Sequence, residues 1–159
     1  MQLQLLKLLP LLMLCTVGLV AQAPGPYGAP ISLENARKVS AAAVAEARKN
    51  NWNMAVAIVD PAGYLVYYEK MDDTQLGSAK VAIDKARSAA LFKRSTKFFQ
   101  DRLASGTAGL PMLKVDGAIP IEGGLPLVID GHIVGAIGVS GDSSEHDGQC
   151  AKAGADTLK

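Results

Sequence analysis

Leu33, Ala36, Val39, Ala43, Val44 and Ala47 recur at steps of three and four, opposite Glu34, Arg37, Lys38, Glu46 and Arg48. That period predicts an amphipathic helix, with Ser32 as its N-cap and its end near Asn50-Asn51. The pattern then changes. Residues 54–59, MAVAIV, have the composition of a strand buried on both faces. Asp60-Pro61-Ala62-Gly63 is a turn with proline preset at its second position. Residues 64–69 are a second strand, which closes an antiparallel hairpin. Its tyrosines, Tyr64, Tyr67 and Tyr68, read as cross-strand packing, with contact to a planar ligand as the other reading.

Residues 78–94 are helical again, with a stripe of small side chains from Ala79, Ala82, Ile83, Ala86, Ala89 and Ala90. Such a stripe lets a sheet or a second subunit approach closely. A short third helix covers residues 96–105, with Phe98, Phe99 and Leu103 as its apolar positions, and residues 107–117 form a loop. Residues 118–147, AIPIEGGLPLVIDGHIVGAIGVSGDSSEHD, read as strand, turn, strand, turn, strand and helix cap. Asp130-Gly131 between two apolar runs is a hairpin signal, because a type I′ turn needs positive φ at both central residues. Gly135 and Gly138 weaken a strand and predict that a helix, a neighbouring subunit or a flat ligand packs against that backbone. Ser144 and Asp147 resemble a capping box opening a last helix, which Gly148 and Gly154 weaken. The order is helix, two strands, two helices, three strands, helix. Hairpin-joined strands with helices packed on them make an α+β domain with an antiparallel sheet.

The first 23 residues do not belong to that domain. Lys7, the apolar run 8–20 and Ala21-Gln22-Ala23 have the layout of a secretory signal peptide. The run is too short for a membrane span, so none is expected after cleavage. Residues 24–30 are a flexible leader rich in proline and glycine, and 31–159 form the domain. The mature protein is thus expected in the periplasm or secreted. Losing Lys7 takes 16 basic residues to 15, against 15 acidic ones. That balance leaves no excess to neutralise a phosphate backbone and excludes nucleic acid as an expected partner. Cys15 leaves with the signal, so Cys150 has no internal partner and reads as a small buried residue of the last helix.

No phosphate loop, dinucleotide fingerprint, CxxC, HExxH or nucleophile elbow is present. The two histidines, His132 after the hairpin turn and His146 at the start of the last helix, read either as metal ligands or as solvated turn residues. Asp142, Glu145, His146 and Asp147 together read as a hard-metal cluster or as helix-cap acids. Glu122 is a charge in apolar surroundings beside Gly123 and Gly124, and Lys85 interrupts the small-residue helix. A cleft bounded by Lys85, Glu122 and the two glycines suits a small carboxylate or a propionate, whereas the bland reading leaves both charges solvated.

The residues DPAGYLVYYEKMDD from Asp60, the spacing of Ser78, Ala82, Lys85, Ala86 and Ala89, the block GAIPIEGGLPLVIDGHIVGAIGVSG from Gly117, and Asp147 closely resemble the GlcG/HbpS family of haem-binding proteins. The resemblance runs from about Ile31 to the C-terminus. It implies a profilin-like fold with a five-stranded antiparallel sheet between helices, and assembly into homo-oligomers. It implies an exported haem-binding protein, a haem or iron sensor or carrier, with haem as cofactor. His132 or His146 would be the axial ligand, Lys85 would face a propionate, and Glu122, Gly123 and Gly124 would line the site. One branch of the family implies a different activity, a cofactor-free lyase acting on a small aromatic carboxylate such as hydroxylaminobenzoate, with Lys85 and Glu122 as its catalytic pair. A non-catalytic sensor-partner module is the third reading.

Overall fold

The computed structural model describes residues 25–158, so the expected signal segment and Cys15 lie outside the described residues. Four helices, α1 (Leu33–Lys49), α2 (Ser78–Phe92), α3 (Thr96–Ala104) and α4 (Ser144–Ala155), accompany four strands. The strands are β1 (Ala55–Val59), β2 (Leu65–Lys70), β3 (Gly124–Ile129) and β4 (His132–Ser140). They form one antiparallel sheet in the order β2-β1-β4-β3. Helices α1 and α4 cover one face and α2 the other, so the domain has three layers.

Alternation along β1 feeds both sides. Val56 and Ile58 join Val39, Val44, Leu127, Ile137, Val139 and Cys150 in the larger core. Ala55, Ala57 and Val59 face Ala82, Ala86, Ala89 and Ala90 of α2. The small stripe of α2 therefore serves the sheet. At Gly138 of β4 an added Cβ would run into the Ala82 carbonyl and the Ala86 backbone, so the partner expected at this glycine is α2 itself.

The helix expected from Ser32 is observed with that residue as its N-cap, its hydroxyl accepting from the Asn35 N–H at 3.2 Å. Leu33, expected on the apolar stripe, is exposed instead, and Ser40 is buried where its hydroxyl meets Glu69. The Asp130-Gly131 turn has φ of 49° and 77°, as a type I′ hairpin requires.

Three expectations need correcting. The described sheet has four strands where five are expected, because residues 118–123 are irregular. Pro120 has no N–H, Ile119 donates to the Ser88 hydroxyl at 3.1 Å, and Glu122 donates to Gln100 Oε1 at 2.7 Å. Two donors of this segment are thus claimed by side chains of α2 and α3 and Pro120 offers none, which breaks the regular spacing a strand ladder needs. The loop expected at 107–117 contains a 3₁₀ helix, Thr107–Lys114. The leader is tied down, with the Ile133 N–H donating to the Pro26 carbonyl at 2.8 Å and the Gly28 and Ile31 N–H groups donating to the carbonyls of Ile133 and Val134. This segment takes the place beside β4 that β1 leaves open beyond Val59. Tyr27 adds a hydroxyl donation to the Ala90 carbonyl at 2.9 Å.

Candidate functional site

Lys85 is not at a cleft. It points from α2 into the sheet, fully buried, and its ammonium donates to Asp147 Oδ2 at 2.6 Å and to the Val139 carbonyl at 3.1 Å. Asp147 is buried on α4, and its other oxygen accepts from the Asp142 N–H at 3.3 Å. The pair thus joins α2, the end of β4 and the first turn of α4. Gly123 and Gly124 fit around it. Gly123 has φ of 126°, and a Cβ there would lie 2.9 Å from Lys85 Nζ and 2.6 Å from the Val139 carbonyl oxygen. A Cβ on Gly124 would lie 2.5 Å from the Lys85 carbonyl oxygen. The Gly-Gly pair expected to approach a bound group approaches this lysine instead. Burial pushes the Lys85 ammonium below, and the Asp147 carboxyl above, their ordinary values, and each partner's charge opposes the shift.

Asp147 was expected as a cap acid; the N-cap is Ser143, whose hydroxyl accepts from the His146 N–H at 3.3 Å. The signal for its real role is in the sequence. Asp147 shares one helical face with Cys150, Ala151 and Gly154, as Lys85 does with Ala82, Ala86 and Ala89. A single charge of opposite sign on each of two apolar faces marks a buried pair.

Glu122 is half-buried and packs against Gly148 of α4, its Cγ 2.8 Å from where a Cβ would stand. Desolvation raises its carboxyl, with Lys97 and Lys85 opposing and Glu145 and Asp101 reinforcing. Glu122 therefore borders the Lys85–Asp147 pair through Gly123, yet Lys85 gives its short contacts to Asp147 and Val139.

The histidines do not converge. His132 opens β4 and His146 lies on α4, six residues beyond the end of a strand that itself spans about 26 Å at about 3.3 Å per residue. They cannot ligate one ion together. His146 is half-exposed, stacks on Trp52 with ring centroids 3.8 Å apart, and bonds through Nδ1 to Asp142 at 2.7 Å. His132 is exposed, and its Nδ1 lies 2.9 Å from the Asp130 carbonyl oxygen. A carbonyl only accepts, so in this contact Nδ1 carries a proton. Among the described residues no group of three or more His, Cys, Asp or Glu side chains could hold a metal ion. The cluster of Asp142, Glu145, His146 and Asp147 is not one, because Asp147 turns inward.

A cleft of about 570 Å³ opens along β3 and the C-terminal end of α4. Leu125, Pro126, Val128, Ala155 and Leu158 give it apolar walls, the Asp130-Gly131 turn closes one end, and Lys152, paired with Asp156, stands at the rim. That volume falls within the range of small-molecule sites. Strand β3 is an edge, but it does not invite another strand. The Gly124 N–H is held by Thr96 Oγ1 at 2.9 Å, and Pro126 has no N–H to offer. Sequence reasoning missed this cleft, because its walls come from two segments about thirty positions apart. Among the described residues no helix is long and apolar enough to cross a membrane.

A family model described as "Haem degrading protein HbpS-like" matches residues 31–156. The chain is 39% identical over 113 residues to protein GlcG of Escherichia coli (strain K12), covering 69% of this chain and 81% of that one. The crystal structure of HbpS superposes with a TM-score of 0.75 at 32% identity, over 83% of this chain and 92% of that chain. The structure of a PduOC:heme complex superposes with a TM-score of 0.73 at 29% identity, over 82% of this chain and 96% of that chain.

Proposed function

The chain belongs to the HbpS-like family, and on that premise we propose that it is an exported haem-binding protein, a carrier or sensor that assembles into homo-oligomers. The observation that carries the reading is the solved haem complex of a relative with the same fold. The residues here fit the group. The cleft between β3 and α4 offers apolar walls to a porphyrin plane. His132 follows in the chain the turn that closes the cleft and stands outside the cleft's lining, with its Nδ1 against a backbone carbonyl, so that Nε2 is the ring nitrogen that would meet a metal. Lys152 is the cation beside the cleft, and it replaces Lys85 as the propionate partner, since Lys85 is sealed against Asp147. Bound haem supplies an iron centre whose properties the axial ligand sets. His132 would hold that iron, Leu125, Val128 and Leu158 would keep water from the porphyrin faces, and Lys152 would orient its acidic edge.

Absorbance titration of the full chain with haem tests the reading. A saturable Soret shift is expected, and its absence at every ratio of haem to protein removes the proposal. The lyase alternative is less well supported, because it needs the Lys85 ammonium free to receive a carboxylate.

A further inference from the structure

The charges of this chain are unevenly placed. Residues 78–115 carry eight of the 16 basic side chains and two of the 15 acidic ones, a net of +6, which leaves −5 for the rest. Of that excess, Lys97, Arg102 and Lys114 against Asp101 lie on α3 and the 3₁₀ helix Thr107–Lys114 packed beside it, and Lys93 and Arg94 stand just before α3. Phe98 and Arg102 stand four apart on one side of α3, and Arg94, just before the helix, sets its guanidinium 4.5 Å from the centre of the Phe98 ring. In the 3₁₀ helix, residues three apart share a face. Leu110 and Leu113 do so, and they are 53% and 62% exposed, with Phe98 at 45%. Only Gly109 of that helix is buried, tucked against the Leu103 backbone. Arg102 and Lys114 are exposed and have no acidic partner among the described residues, whereas Lys97 on the neighbouring side pairs with Asp101.

A bare apolar ridge ringed by unpaired cations does not suit a symmetric contact with a second copy, which would set one basic face against another. It suits a flat anionic surface with an apolar interior. We propose that the face formed by α3 and the 3₁₀ helix docks on an anionic lipid bilayer. Leu110 and Leu113 enter the interfacial layer, while Arg94, Arg102 and Lys114 lie against the headgroup phosphates. Among the described residues no helix spans a membrane, so the attachment is peripheral.

Flotation with vesicles tests this, using both the full chain and the chain starting at Gly25, since every described helix and strand lies within residues 25–158. The chain starting at Gly25 is expected to float with phosphatidylglycerol/phosphatidylcholine vesicles, not with phosphatidylcholine alone, and to be released by salt. The full chain is expected to show the same preference above any charge-independent binding by its apolar N-terminal residues. Arg102→Glu and Lys114→Glu should each lower partitioning about fivefold or more, the equivalent of about 1 kcal/mol per basic residue near such a surface. Leu110→Ser with Leu113→Ser should lower it further without changing the melting temperature. Equal binding to both vesicle types, or no binding by the chain starting at Gly25, overturns the proposal. So does partitioning that the substitutions leave unchanged. If light scattering shows that these substitutions dissociate an oligomer while wild type ignores vesicles, the face joins copies of the chain and the proposal falls.

Discussion

Removing one partner of the Lys85–Asp147 pair should damage this fold more than removing both. The two groups are 2.6 Å apart, with side-chain exposures of 1% and 3%. At an effective dielectric of about 20, unit charges at that separation attract by about 6 kcal/mol. Desolvation costs several kcal/mol per ion and offsets most of this, so the pair's net contribution is small. Lys85→Met leaves Asp147 buried without its counter-charge, and Asp147→Leu strands the ammonium. Each should cost about 3–5 kcal/mol, or about 12–20 °C in melting temperature for a domain of this size. The double substitution should recover most of that loss. Acid should separate the variants further. Burial already raises the Asp147 carboxyl above its ordinary 3.8. A raised carboxyl contributes stability below its unfolded value and loses it as pH rises through its folded value. Lys85→Met should therefore regain stability as pH falls toward that value, because an unpaired Asp147 takes up a proton more readily folded than unfolded. Urea melts of the four proteins across pH measure all of this. Single substitutions costing under about 1 kcal/mol, or a double substitution costing their sum, would refute the reasoning.

The Tyr68 hydroxyl is buried without a hydrogen-bond partner, so Tyr68→Phe should leave stability unchanged or raise it by about 1 kcal/mol in urea melts. Gly138→Ala should cost several kcal/mol, near the upper end for point substitutions, because its Cβ meets the α2 backbone; a melting temperature within experimental error of wild type would count against that packing. Burial pushes the Cys150 thiol up to about 12, so it should resist thiol reagents in the native state. A raised thiol contributes stability below its ordinary 9.0 and loses it as pH climbs toward 12; Cys150→Ala should flatten that alkaline loss relative to wild type.

Local rules made much of the fold readable. Ser32 caps α1 because the first periodic residue follows it, and the Asp60 and Asp130 turns carry their own chemistry, so both hairpins were foreseeable. Residues 118–123 were not. Their apolar character suits a strand, but where their N–H groups go depends on Ser88 and Gln100, distant in sequence. The site followed the same division. Lys85, Glu122, Gly123 and Gly124 were expected together and do surround one place, yet Asp147 completes the set and turns the lysine from a ligand cation into a buried strut. His132 and His146 are close in sequence and far apart in space, because the intervening strand is extended. The cleft along β3 had no signature, since its walls meet only through the packing of α4.

The most direct measurement is the Soret spectrum of the ferric haem complex, compared between wild type, His132→Ala and His146→Ala. A saturable wild-type band is expected that His146→Ala leaves in place and that His132→Ala abolishes or shifts, with His132→Ala melting like wild type. An unchanged band in His132→Ala would contradict the assignment of the iron to that imidazole. No band in wild type at any haem ratio would contradict the proposed function itself.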